Sequence, residues 1–259
     1  MDYNNILIIA VLFSFIIAFI FSMFGQGGGS VYSPLFILLG YSVLISTSTS
    51  LVLNLITSLS AGYVFYKNKM IDLKASFMFV PGIVIGAFAG GVMSKYFNTQ
   101  VLLWLFVFFL VVLGGKMIYT YWEKGASEEH KPAGLNFKLY ALIVIFSIVV
   151  GFISGLLGIG GGILIVPFMT YVLKYPTKFA AGSSHLIISF SALAGIIGHA
   201  SSHRMDYPLI LSAGIAVLLG GYLGARFSLK IKPKMIKAGV GLLMWALSAQ
   251  ILIKLLASI

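Results

Sequence analysis

Residues 25–34 read Gly25-Gln26-Gly27-Gly28-Gly29-Ser30-Val31-Tyr32-Ser33-Pro34, and residues 158–167 read Gly158-Ile159-Gly160-Gly161-Gly162-Ile163-Leu164-Ile165-Val166-Pro167. Glycine admits backbone angles that other residues avoid, and proline removes an amide donor, so each knot reads as a deliberate interruption of a helix. The two knots are 133 residues apart, and further matches follow at an offset of 134: Tyr41 with Tyr175, Thr49-Ser50 with Ser183-Ser184, Asp72 with Asp206, and Gly86 and Gly90 with Gly220 and Gly224. A spacing that slips by one residue over half a chain marks a duplicated unit.

What surrounds the knots is lipid-soluble. Hydrophobic residues make up 60% of the chain and charged ones 9%, and the mean hydropathy is +1.06, too apolar for a water-soluble domain to cover with polar surface. The runs Ile6–Phe24, Val101–Leu113 and Leu139–Phe152 carry no charge, and about 20 such residues in a helix match the hydrocarbon thickness of a bilayer. The first run lacks the basic flank and small-residue cleavage site of a signal peptide, so it reads as a helix of the mature protein. There is no cysteine, which excludes disulfides and thiolate metal sites. The net charge of +11 sits in short loops between apolar runs, where it fixes orientation; nucleic acid is not an expected partner.

Each half reads as a long helix, the knot, a short helix and three more helices. The first half gives 5–24, 30–40, 46–66, 74–95 and 100–121; the second gives 138–157, 163–173, 180–199, 207–228 and 234–257. The most polar stretch, Glu123–Lys138, separates them. The expected division is a first membrane repeat at 1–122, a polar linker at 123–137 and a second membrane repeat at 138–259. Loop charge orients the repeats: Lys67, Lys69 and Lys74 follow the third helix of the first half, whereas the equivalent loop His199–Asp206 sets one Arg against one Asp. After the fourth helix the bias changes halves, with Arg226, Lys230, Lys232, Lys234 and Lys237 in the second and Lys95 in the first. Opposite charge on equivalent loops is what inverted repeats require. The expectation is therefore an all-α polytopic membrane protein of two inverted repeats, about five membrane segments each, with both termini outside. The short or broken helices after the Gly-rich motifs either cross or re-enter.

The knots are the leading site candidates. Unwound backbone at membrane depth is tolerated only where protein or water covers it, and the N-terminus of the following short helix offers free N–H groups and a positive dipole end to an anion. Gln26, Gly27, Gly28 and Gly29 form the first half of this candidate site, and Gly160, Gly161 and Gly162 the second. The same glycines also serve close helix packing. No Gly-Lys-Ser/Thr follows either knot, which excludes a Walker loop. Hydroxyls open the third helix of each half: Ser46 and Thr47 with the candidate donors Ser48, Thr49 and Ser50, then Ser183 and Ser184. They suit a tetrahedral or pyramidal oxyanion through several neutral hydrogen bonds, or they cap and back-bond their own helices. Gln26 meets an apolar residue, Ile159, at the matching position, so Gln26 and Asn54 either set substrate choice or join helices. His185 is the ionisable residue placed beside the hydroxyls and is the candidate for proton coupling. His199, His203 and Arg204 read as an external loop, and Glu128, Glu129 and His130 as part of the linker. No metal site or cofactor is expected.

In its paired Gly-x-Gly-Gly-Gly…Pro segments, the small-residue run Ala180-Ala181-Gly182-Ser183-Ser184 and its Gly-rich fourth helices, the sequence resembles the TauE/SafE family across nearly its whole length. The resemblance implies a prokaryotic cytoplasmic-membrane transporter that exports sulfite, sulfonates or related sulfur-containing anions, with a proton gradient as the driving force. The first half departs from the pattern at Gln26 and at Ser46–Ser50, so a particular substrate does not transfer. Bound partners are then the bilayer and a small anion; the oligomeric state is not set by the sequence. The rivals are an anion channel sharing the same donors and a membrane-embedded enzyme. The second is disfavoured because the six acidic residues fall in loops or at the N-terminus, leaving neither an intramembrane carboxylate pair nor an HExxH motif.

Overall fold

The computed structural model describes residues 3–94 and 96, parts of 104–119, and residues 137–199 and 205–256. The linker residues 123–136, together with Lys95, Lys116, Glu128, Glu129, His130, His203 and Arg204, lie outside the described residues, and the expected helix 100–121 is described only in part. Every regular element among the described residues is an α-helix: α1 Tyr3–Met23, α2 Gly29–Leu38, α3 Val43–Lys67, α4 Leu73–Met93, α5 Phe137–Leu157, α6 Gly162–Tyr171, α7 Thr177–His199, α8 Tyr207–Lys230 and α9 Pro233–Leu256. All except α2 and α6 are long and apolar enough to cross a bilayer, which makes seven candidate spans among the described residues. The short α2 and α6 have 10 residues each, or about 15 Å, half a hydrocarbon core.

Helices α4 and α8 start in the same way. Asp72 caps α4 by accepting the Ala75 N–H at 2.9 Å, and Asp206 caps α8 by accepting the Leu209 N–H at 2.9 Å, each satisfying an amide left free in a first turn. Two sequence expectations shift. Phe137, read as the last linker residue, already belongs to α5, whose expected start was residue 138. His199, read as a loop residue, ends α7, where it is buried with Nε2 2.8 Å from the Gly155 carbonyl.

Glycines set which helices touch and in which sense. A Cβ on Gly82 would stand 2.6 Å from the Val144 carbonyl, and Cβ atoms on Gly86 and Gly90 would collide with the carbonyls of Ile148 and Phe152. The contacts advance four residues at a time on both helices, so α4 and α5 run parallel in backbone contact. Gly220 and Gly224 of α8 likewise meet Phe15 and Phe19 of α1. These are small-residue interfaces of the kind that hold helices together in lipid, where van der Waals contact replaces the hydrophobic effect. The equivalent helices α3 and α7 run antiparallel: Gly62 faces His185, and Leu51 faces Gly195. Between these pairs lies the main core, with Tyr32, Phe36, Phe79 and Ile165 fully buried, and a smaller cluster gathers around Phe65 and Ala181.

Candidate functional site

Each knot folds as an elbow built on three left-handed glycines at matching positions: Gly25, Gly27 and Gly28 with φ of 76°, 80° and 118°, and Gly158, Gly160 and Gly161 with φ of 72°, 81° and 70°. The intervening Gln26 and Ile159 have ordinary backbone, which is why a side chain is tolerated at that place and nowhere else in the elbow. Gly28 and Gly161 are then the N-caps of α2 and α6, with no side-chain cap on either.

The elbows meet. A Cβ on Gly29 would lie 2.6 Å from the carbonyl of Ile159, and one on Gly162 would lie 2.9 Å from the carbonyl of Gln26, so each elbow presses its helix start against the middle of the other. The serines of the third helices cross in the same exchanged fashion. Ser50 Oγ lies within hydrogen-bond distance of the Gly29 and Gly158 carbonyls, at 2.9 and 3.0 Å. Ser184 Oγ donates to the Gly25 carbonyl of the first elbow and to Ala181. Each serine therefore ties its helix to the first glycine of the opposite half's elbow.

Asn54 stands between the elbows. Its Oδ1 accepts the Gly29 N–H at 3.2 Å, and its side chain is what a Cβ on Gly27, Gly29 or Gly160 would strike. It is the twelfth residue of the 25-residue α3, near mid-helix. Asn54 belongs to a buried stripe at four-residue spacing on α3, Ser46, Ser50, Asn54 and Ser58, a periodicity that can be read in the sequence once the helix is assigned. The matching positions of α7 are Ala180, Ser184, Ile188 and Ala192. Around the elbows, buried polar atoms have no protein partner: both amide atoms of Gln26, Asn54 Nδ2, and the hydroxyls of Ser30, Ser46, Thr49 and Ser58. Buried polar groups are ordinarily paired, and leaving one unpaired costs about 1–3 kcal/mol, so this concentration needs an explanation beyond folding. The polar lining comes from the first half, while the second contributes Ile159 and Ile188, the latter 3.4 Å from a Cβ on Gly160.

The remaining candidates lie on α3 and α7. Ser48 and Thr49 are buried in the second turn of α3. Ser183 faces away from the elbows, its Oγ accepting the Asp72 N–H at 2.9 Å at the start of α4. Asp72 also accepts from the Tyr175 hydroxyl at 2.9 Å. His185 is buried, with Nε2 3.2 Å from the Ser22 carbonyl, its ring stacked on Phe65 and Nδ1 unpaired. Among the described residues no group of three His, Cys, Asp or Glu side chains converges to hold a metal.

Paired apolar helices around a polar, glycine-built centre define a multi-pass membrane protein, and comparison with known proteins places it among membrane transporters. The profile of the family described as Sulfite exporter TauE/SafE matches residues 10–251, and the chain belongs to that family. It is 28% identical over 249 residues to "Probable membrane transporter protein YunE" of Bacillus subtilis, covering 88% of this chain and 91% of that one. A protein of Methanocaldococcus jannaschii, also named a probable membrane transporter protein, is 28% identical over 251 residues, covering 90% of each chain. A third relative, YdhB of Bacillus subtilis, is 26% identical over 230 residues, with 87% of this chain and 91% of that one covered. No solved structure matches.

Proposed function

We propose that the chain is a secondary transporter which binds a small oxyanion between the two elbows and passes it across the bilayer by alternating access. The observation that carries this reading is the meeting of the elbows around Asn54, with unpaired Gln26, Asn54 and serine atoms sealed beside them. The Asn54 carbonyl oxygen sits on the Gly29 N–H at the start of α2, where an anion oxygen would be received by free amides and the dipole. Rotating that side chain away exchanges a protein oxygen for a substrate oxygen. Gly27, Gly28, Gly29, Gly160, Gly161 and Gly162 allow the close approach, Ser48 and Thr49 add hydroxyls, and Ser50 and Ser184 hold the elbows together. Gln26 orients the anion from the side that Ile159 leaves apolar. All these residues are buried, as in an occluded step of the cycle.

The antiparallel contact of α3 with α7, and the exchanged contacts of the elbows, support two inverted repeats, 1–122 and 138–259, joined by the linker 123–137. In this reading α2 and α6 return from the elbows toward opposite faces. The family description favours sulfite or a related sulfur oxyanion, carried outward across a prokaryotic cytoplasmic membrane, and His185 is the group placed to couple its passage to a proton.

Flux into proteoliposomes decides the matter. Saturable uptake of sulfite or a sulfonate with counterflow supports a carrier, whereas unitary currents overturn it. Gly28→Leu and Gly161→Leu, which place side chains on left-handed backbone, should reduce flux to background while the protein still inserts; wild-type uptake by either variant removes the elbows from the site.

A further inference from the structure

A second recess lies away from the elbows, at the end of the bundle where α3 and α8 finish. Its volume is about 640 Å³, and it is lined by Phe19 of α1, by Asn68 after α3, and by Leu223, Arg226, Phe227 and Lys230 of α8. The α8 residues are spaced three and four apart and so share one helix face. Along that face polarity changes with depth. Phe19 packs on Phe227 with ring centroids 5.9 Å apart, and Leu223 adds an aliphatic wall one turn deeper. Arg226 and Lys230 stand at the helix end, both exposed. The Arg226 guanidinium lies 5.4 Å over the Tyr222 ring. The acidic side chains described, Asp72 and Asp206, are engaged by the Ala75 and Leu209 amides and by Tyr175. The positions of the first half that match Arg226 and Lys230 are Val92 and Tyr96, so the opposite end of the bundle has no such pair there.

We infer that this recess binds the headgroup of an anionic phospholipid, its phosphodiester between Arg226 and Lys230 and the start of an acyl chain against Phe19, Leu223 and Phe227. A soluble anion would gain nothing from the apolar wall, whereas a lipid needs both ends of the gradient. Basic recesses between helices at the membrane interface recognise such headgroups. The α8 end also forms part of the cationic face: Lys178 donates to the Leu229 carbonyl at 2.8 Å.

The test uses delipidated full-length protein in detergent, titrated with short-chain phosphatidylglycerol or phosphatidylcholine and read by native mass spectrometry. Phosphatidylglycerol should bind at about thirtyfold lower concentration, the factor that two interfacial cations supply. The preference should vanish in R226Q/K230Q and persist in R226K/K230R, with sulfite flux unaffected in the latter. Equal binding of the two lipids by the wild type, an unchanged preference in R226Q/K230Q, or displacement of the lipid by an equal concentration of inorganic phosphate would overturn the assignment, the last in favour of a soluble anion.

Discussion

Asn54 shows how much one side chain can organise. It bridges the elbows with its Oδ1 on Gly29 and its Nδ2 against Gly160, and at mid-helix in lipid an amide has no water to turn to. Asn54→Leu removes the unpaired Nδ2 donor that would meet the anion and should raise the substrate dissociation constant by about 10- to 100-fold, the worth of one hydrogen bond to a charged group; isothermal titration of purified protein would measure it. His185 tests a different property at the same scale. Its Nδ1 is unpaired and its Nε2 sits on Ser22, so His185→Gln keeps a polar group in place and removes the titration. If His185 relays protons, flux measured from pH 5 to 8 should lose its pH dependence in that variant; a profile like the wild type's would assign the ring to packing on Phe65. Of the candidate hydroxyls, Ser50 and Ser184 donate to elbow carbonyls and Ser183 accepts from the Asp72 amide. Hydroxyl clustering is legible in a sequence, but the backbone group that each of these serines meets in the other half lies more than a hundred residues away.

Between elements, the contact that joins the two halves at one end runs from Asp72 at the head of α4 to Tyr175 in the α6–α7 turn and Ser183 of α7. Burial, then the hydrogen bond and charge of Asp72, push the Tyr175 phenol up from its ordinary 10.0. The phenol therefore keeps its proton at neutral pH: the stability it contributes is fully present below pH 10.0 and is lost only as pH rises through the raised value. In the proposed alternating-access cycle, opening toward that end would break this contact. Tyr175→Phe removes one hydrogen bond, worth about 0.5–1.5 kcal/mol, and should speed alkylation of a cysteine placed at Ser58 by roughly two- to tenfold. The chain contains no cysteine of its own, so the label reports one site. An unchanged rate would show that the contact does not hold the closed state. The repeat sets Tyr41 and Asp206 in the matching places at the other end, a relation the offset of 134 had already paired in the sequence.

At the scale of the molecule, parallel packing of α3 with α8 and antiparallel packing of α3 with α7 bring the ends of α3 and α8 and the starts of α4 and α7 together, and with them Lys67, Lys74, Lys178, Arg226 and Lys230. Inverted repeats make equivalent loops face opposite sides of the membrane. Single cysteines at Asn68 and Tyr207 should therefore react with an impermeant maleimide from opposite faces of oriented vesicles; labelling from the same face would require parallel repeats instead. The cluster of cations at one end, and a lipid headgroup held there, would also fix the depth and tilt of α8.

Membrane class, the positions of the described helices and the breaks at the elbows were readable in the chain, because apolar length and glycine-proline punctuation are local properties that lipid converts directly into helices and breaks. The partners of those elements were not. That the elbows abut, that Asn54 lies between them, that Ser183 turns to Asp72 and that His199 ends a helix instead of lying in a loop are consequences of backbone contacts made possible by Gly82, Gly86, Gly90, Gly220 and Gly224. Glycine spacing permits close approach on several faces of a helix, and only the packing of the whole bundle selects among them.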